Sequence, residues 1–186
     1  MKEKKSLLLV FAIIIAVILS QTDIVYGQQK APDTYFYVNS KKVLLKNFKG
    51  KKVMLWLFST WCPSCIVGFQ ALAKKQPELK KDNLTIIILR NYKNGGYPGP
   101  TAIEFAKKYG ENLLKAKNWV FGEASNNLES IYNSKKYPDI YFLINSKGYV
   151  ININGAPAAT LDNILSFAKS KKKNHNLKNR FGNEKN

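Results

Sequence analysis

Lys51-Lys-Val-Met-Leu-Trp-Leu-Phe-Ser-Thr-Trp-Cys-Pro-Ser-Cys65 is the stretch on which the fold turns. Val53 to Phe58 is an unbroken apolar run, the mark of a strand buried on both faces. From Pro63 the pattern becomes helical: Cys65, Phe69 and Leu72 share one face at spacings of four and three, and Lys74, Lys75 and Pro77 close the segment. A strand feeding a helix sets Cys62 at the helix N-terminus, where unpaired backbone N–H groups and roughly half a unit of positive charge favour a thiolate. The thiolate is the form of cysteine that attacks a disulfide. Pro63 suits the first helical turn, since its φ is already helical and its missing N–H is not needed there. Cys65 falls one turn further in, shielded from solvent and within reach of a mixed disulfide on Cys62.

Other uses of this spacing compete with redox chemistry. A zinc site needs about four ligands, and beyond these two cysteines the chain offers only His175, near its C-terminus. A purely structural disulfide closing so small a loop would restrain the unfolded chain little. Two buried, unreactive thiols are the third alternative. Against all three stands the combination Trp61-Cys62-Pro63-x-Cys65 behind a buried strand, which is far more specific than a bare cysteine pair.

Outward from this centre, Leu84 to Leu89 reads as a second buried strand, and Asn91 to Pro100 as a loop rich in glycine and proline. Thr101 with Glu104 forms a capping box for a helix ending near Tyr109-Gly110. Trp119 to Phe121 suggests a short strand and Asn126 to Tyr132 a short helix. Ile140 to Ile144 and Tyr149 to Asn154 flank Asn145-Ser-Lys-Gly148, which is strand, tight turn, strand. Leu161, Ile164, Leu165 and Ala168 make the stripe of a last helix. Upstream, Thr34 to Val38 reads as an edge strand. The expected class is α/β, a mixed central sheet flanked by helices. One domain at 39–169 follows a linker and edge strand at 28–38, and a basic tail at 170–186 has no apolar periodicity and reads as disordered.

Lys2, Lys4 and Lys5 precede an apolar run from Leu7 to Leu19, so residues 1–27 read as a signal peptide or membrane anchor that places everything downstream outside the cytoplasm. Thirty Lys and Arg against twelve Asp and Glu give a net charge of +18. Nucleic acid is nevertheless disfavoured as a partner. Arg90 and Arg180 are the only arginines, and the lysines are scattered in pairs along the chain. A solvated lysine surface, or contact with anionic lipid, accounts for the charge better.

Phe58-Ser-Thr-Trp-Cys-Pro-Ser-Cys65, preceded by Lys51 to Trp56, resembles the active-site strand and helix of the thioredoxin superfamily, most closely its exported, membrane-tethered TlpA- and ResA-like branch. The resemblance covers about Asn39 to Lys169. It implies a thioredoxin-like fold in which Cys62 attacks, Cys65 resolves, and Trp61, Pro63 and Ser64 frame the pair. It also implies a cis-proline facing the sulfurs, a place that Tyr137-Pro138 fits. Pro138 would then keep the sulfurs from capturing metal, and the backbone of Tyr137 would pair with substrate as an added strand. No cofactor is implied beyond the redox-active Cys62–Cys65 disulfide itself. The implied partners are protein thiols and disulfides outside the cytoplasm and a membrane electron donor or acceptor.

Three departures from the family pattern matter. Trp56 stands where the family has a buried acid, Gly68 where the exported branch often has a glutamate, and Gln70 where a helix-bending proline is common. On this reading no carboxylate is placed to take the proton of Cys65. A reductase of exported protein disulfides, of the cytochrome c maturation type, is the leading function. A DsbA-like thiol oxidase, or a tethered binding module with little turnover, are the alternatives. Tyr92 and Tyr97 in the loop either shape a substrate groove or simply pack it.

Overall fold

A computed structural model describes residues 29–170 of the chain. The expected signal or anchor at 1–27, His175, and the tail beyond Ser170 lie outside the described residues. No helix among those described is long and apolar enough to cross a membrane.

The elements are β1 (Tyr35–Val38), β2 (Lys41–Leu44), β3 (Lys52–Phe58), α1 (Pro63–Lys74), α2 (Gln76–Lys81), β4 (Leu84–Arg90), α3 (Ala102–Gly110), β5 (Trp119–Ala124), α4 (Asn126–Tyr132), β6 (Asp139–Ile144), β7 (Val150–Asn154) and α5 (Leu161–Lys169). The strands form one mixed sheet in the order β2-β1-β5-β4-β3-β6-β7. β3 runs parallel to β4 and antiparallel to β6, so the apolar run Val53 to Phe58 lies near the centre of the sheet. Thr34 to Val38 is not the edge: β1 is hydrogen-bonded on both sides, and the short hairpin partner β2 covers it.

Alternation along β3 divides the core. Met54, Trp56 and Phe58 point to one face, where Phe69 and Leu72 of α1, Leu79 of α2, Phe105 of α3 and Ile164 of α5 pack on them. Val53, Leu55 and Leu57 point to the other, against Phe36, Leu128 and Tyr132 of β1 and α4. Burial on both faces is the reason the run carries no polar residue. Thr101 and Glu104 form the expected capping box: Thr101 Oγ1 accepts from the Glu104 N–H at 3.2 Å, and Glu104 Oε2 accepts from the Thr101 N–H at 2.7 Å. Pro77 does more than close a helix. It sits in the first turn of α2, a short helix that the sequence pattern alone did not reveal.

Candidate active site

β3 ends at Phe58, and the chain turns through Ser59, Thr60 and Trp61 into α1, with Cys62 as N-cap and Pro63 in the first turn. Cys62 N–H donates to Ser59 O at 3.1 Å and Cys65 N–H to Cys62 O at 3.1 Å, so the sulfur-bearing residues are held from both sides of the turn. Both cysteines are free thiols. Cys62 retains 4% of its surface and Cys65 none, the ordering expected of an attacking and a resolving residue.

The turn is clamped to the loop after β4. Asn94, itself buried with φ +56°, accepts the Thr60 N–H at 2.9 Å through Oδ1 and donates to Thr60 Oγ1 at 2.9 Å and Pro98 O at 3.2 Å. Its own carbonyl accepts the indole N–H of Trp61 at 2.9 Å. Gly99 passes so close that a Cβ there would lie 2.4 Å from Thr60 Oγ1, which leaves room only for glycine. Tyr97 meets Trp61 edge-on with ring centroids 4.9 Å apart, and the two remain 61% and 43% exposed as an aromatic rim beside Cys62. Tyr92 turns away, into a separate groove with Glu129, Asn133 and Lys136.

Opposite the sulfurs, the start of β6 differs from expectation in two respects. There is no cis peptide bond among the described residues, so the Tyr137–Pro138 bond is trans. A proline immediately before a strand is accommodated in trans because no ladder hydrogen bond is asked of it. Here the Pro138 carbonyl takes the Ser59 N–H at 2.8 Å and the Cys65 thiol at 3.3 Å. Tyr137 is also not free to pair with a peptide. Its N–H donates to Asn133 Oδ1 at 2.8 Å, and its carbonyl accepts from Asn133 Nδ2 at 2.8 Å and Asn91 Nδ2 at 3.1 Å.

The larger correction concerns the acid. Neither Trp56 nor Gly68 brings a carboxylate to the pair, yet Asp139, paired across the sheet with Phe58, places one within 4.8 Å of both sulfurs. Asp139 Oδ1 accepts the indole N–H of Trp56 at 2.9 Å, so the residue standing at the family's acid position binds the acid instead. Asp139 Oδ2 accepts from Ser64 Oγ at 2.8 Å and from the Ala156 N–H at 3.2 Å. Ser64 Oγ lies 3.1 Å from Cys62 Sγ. Gly68, at the family's glutamate position, makes room for buried Pro157, which follows Ala156 in the same loop: a Cβ on Gly68 would meet Pro157 Cδ at 3.0 Å. Burial pushes the Cys65 thiol well above its ordinary ionisation range, and the charge of Asp139 pushes it the same way. The two sulfurs and one carboxylate oxygen lie close enough to hold a metal, which would share that carboxylate with three hydrogen-bond donors, one on Oδ1 and two on Oδ2.

Two signals in the sequence pointed to Asp139. An indole N–H can only donate, so a tryptophan inside a buried strand favours a nearby acceptor, which Trp56 finds and Trp119 does not. A lone acid beside the proline that faces the sulfurs is the obvious supplier.

The Redoxin family model matches residues 27–165. Among curated proteins, the chain is 28% identical over 115 residues to the thiol-disulfide oxidoreductase ResA of Bacillus subtilis (strain 168), a match spanning 62% of this chain and 59% of that protein. It is 28% identical over 130 residues to the thioredoxin-like protein YneN of the same organism, covering 68% of this chain and 69% of the relative. Among solved structures, a thiol:disulfide interchange protein from Bacteroides sp. superimposes with a TM-score of 0.55 at 18% identity, over 81% of this chain and 95% of the other. The architecture is thus the thioredoxin-like fold that the motif implied.

Proposed function

The chain belongs to the Redoxin family, and on that premise we propose that it is a thiol–disulfide oxidoreductase that reduces protein disulfides outside the cytoplasm. Cys62 attacks a substrate disulfide and Cys65 resolves the mixed disulfide, leaving Cys62 and Cys65 joined and the substrate as two thiols. A membrane electron donor then returns the pair to the dithiol. Residues 1–27, with three lysines ahead of an apolar run, support export and tethering. The resemblance of Phe58 to Cys65 to the exported TlpA- and ResA-like branch supports a substrate of the cytochrome c maturation type.

The direction of electron flow rests on one observation, a carboxylate rather than a cation within 4.8 Å of both sulfurs. A strongly oxidising pair is one whose reduced form is stabilised as the thiolate. Burial, and after it the charge of Asp139, act against a thiolate at Cys65, so ionisation of that cysteine does not stabilise the dithiol, which supports the reducing direction.

The test is the equilibrium potential of the Cys62/Cys65 pair in the full chain, alongside insulin-disulfide reduction by wild type and Cys62→Ala. A potential near that of thioredoxin, about −270 mV, with turnover that depends on Cys62, supports a reductase. A value near about −120 mV reverses the direction to a thiol oxidase. Equal rates for the two proteins would leave only a binding module.

A further inference from the structure

We propose that Asp139 is the proton-transfer residue of the redox pair: it exchanges the Cys62 proton through the Ser64 hydroxyl, and it takes the Cys65 proton, from a sulfur within 4.8 Å, once that thiol turns away from the Pro138 carbonyl it donates to at 3.3 Å. The proposal rests on the oxidoreductase reading and assigns a proton-transfer role to Asp139, which lies outside the motif, and to Ser64, which lies within it. It stands on a continuous hydrogen-bonded path. Cys62 Sγ lies 3.1 Å from Ser64 Oγ, and Ser64 Oγ lies 2.8 Å from Asp139 Oδ2.

The polarity of that path follows from the donor inventory. An ionised carboxylate only accepts, so the Ser64 proton points at Asp139 and the Ser64 lone pair faces the Cys62 thiol. The sulfur proton is thereby aimed at a group that can take it while passing its own to Asp139. Trp56 and Ala156 hold the carboxylate in place, at 2.9 Å and 3.2 Å. The titratable groups that face Asp139 are Cys62 and Cys65 from the site turn and α1, and Tyr141 from its own strand. No salt bridge among the described residues includes Asp139.

Each proton has a destination. As Cys62 Sγ bonds to one substrate sulfur and the substrate S–S bond breaks, the Cys62 proton moves to Ser64 and the Ser64 proton to Asp139. Asp139 then protonates the departing sulfur by the same route. In the second step Cys65 Sγ bonds to Cys62 Sγ, the bond from Cys62 to substrate breaks, and the Cys65 proton passes by way of Asp139 to the second departing sulfur. Two electrons and two protons leave the enzyme dithiol, and the substrate disulfide becomes two thiols.

The experiment compares the full-length wild type with Asp139→Asn, Asp139→Glu and Ser64→Ala. Insulin-reduction rates are followed from pH 6 to 9, and the pH profile of Cys62 alkylation by iodoacetamide is recorded beside them. Asp139→Asn is expected to slow turnover at neutral pH on the order of 10²-fold, with the deficit closing as pH rises and hydroxide substitutes for the carboxylate. Asp139→Glu recovers part of the rate, and Ser64→Ala loses about tenfold. The pH profile of Cys62 alkylation also changes in Asp139→Asn, because the carboxylate at the end of its hydrogen-bonded path is gone. A rate loss equal at every pH, matched by a lower melting temperature and not recovered by glutamate, would overturn the assignment and leave Asp139 a structural residue. So would an unchanged pair of profiles. An inactive wild type would instead sink the oxidoreductase reading, and the alkylation profile would still decide whether Asp139 is coupled to the sulfurs.

Discussion

Pro138 separates two polar clusters that are built differently. On the Tyr137 side the bonded side chains are neutral: Asn91 Nδ2 donates to Ser59 Oγ at 2.9 Å, Asn133 Nδ2 donates to Asn91 Oδ1 at 3.2 Å, and both amides reach the Tyr137 carbonyl. Asn91, Asn133 and Ser59 are buried. On the Asp139 side the centre is a charge, it is partly open, and its partners include the exposed hydroxyl of Ser64 beside a reactive sulfur. Neutral amides satisfied on all sides fix geometry, because breaking them exposes nothing that titrates. A half-buried carboxylate next to two thiols moves protons. One flank holds the backbone that faces the sulfurs, and the other supplies the chemistry.

The sharpest way to break this division is to damage the holding side. Asn91→Leu keeps the approximate shape but leaves Ser59 Oγ without its donor and one N–H of the Asn133 amide without its acceptor, while the Asn133 bonds to Tyr137 remain. With roughly 1–3 kcal/mol for each stranded buried group, the loss should be about 3 kcal/mol, read as a lower midpoint in urea unfolding. A loss below about 1 kcal/mol would mean that water replaces the amide and that the neutral flank is not the scaffold. On the working side, Trp56→Phe removes one donor to Asp139 and a little volume. About 2 kcal/mol is expected, because a hydrogen bond to a charged group is worth roughly 1.5–3 kcal/mol. That variant should also slow turnover through a less firmly held carboxylate, whereas a surface change such as Lys42→Ala should not.

Legibility in the sequence followed the range of the interaction. Val53 to Phe58 and Leu84 to Leu89 were readable because burial on both faces writes itself as a continuous apolar run. The Thr101–Glu104 cap and the Asn145 to Gly148 turn are local and were equally plain. The redox pair was legible for the same reason: strand, turn, Cys62 and Cys65 are consecutive. What escaped depends on residues far apart in the chain. Trp56 meets Asp139 across 83 positions and Ser64 meets it across 75, while Asn91 and Asn133 converge on Tyr137 from two different connections. No periodicity records such a meeting. The trans bond at Pro138 was hidden likewise, since it belongs with a Tyr137 backbone already bound on both sides.

The state of Cys65 gives a pH signature that only the working side should carry. Its folded thiol ionises at higher pH than the unfolded one, so above roughly pH 9 the unfolded chain has lost a proton that the folded chain keeps. Stability is therefore full below that pH and falls as pH rises, by up to about 1.4 kcal/mol per unit. Tyr132 and Tyr141 are also shifted upward, and they add to the slope only beyond the ordinary tyrosine range near pH 10. Urea midpoints of the reduced protein between pH 8.5 and 10 should show the decline, and Cys65→Ser should flatten it. A slope that survives in the serine variant would assign it elsewhere.

The smallest expected effect probes how the loop before α5 is tied to Asp139. Gly68→Ala in the body of α1 would ordinarily gain about 0.8–1 kcal/mol from helix propensity. Here the new methyl would lie 3.0 Å from Pro157 Cδ and 3.3 Å from its Cβ and Cγ, against a buried ring that cannot rotate out of the way. The loop must lift by a few tenths of an ångström, which loosens the Ala156 N–H from Asp139 Oδ2. The two effects nearly cancel in stability, within about 0.5 kcal/mol, yet the carboxylate loses part of one donor. Turnover should therefore drop a few-fold while the urea midpoint scarcely moves. If the variant instead gains the full helix-propensity increment and keeps wild-type turnover, the loop yields freely and has no part in positioning Asp139, so the carboxylate would be held by β3 and Ser64 alone.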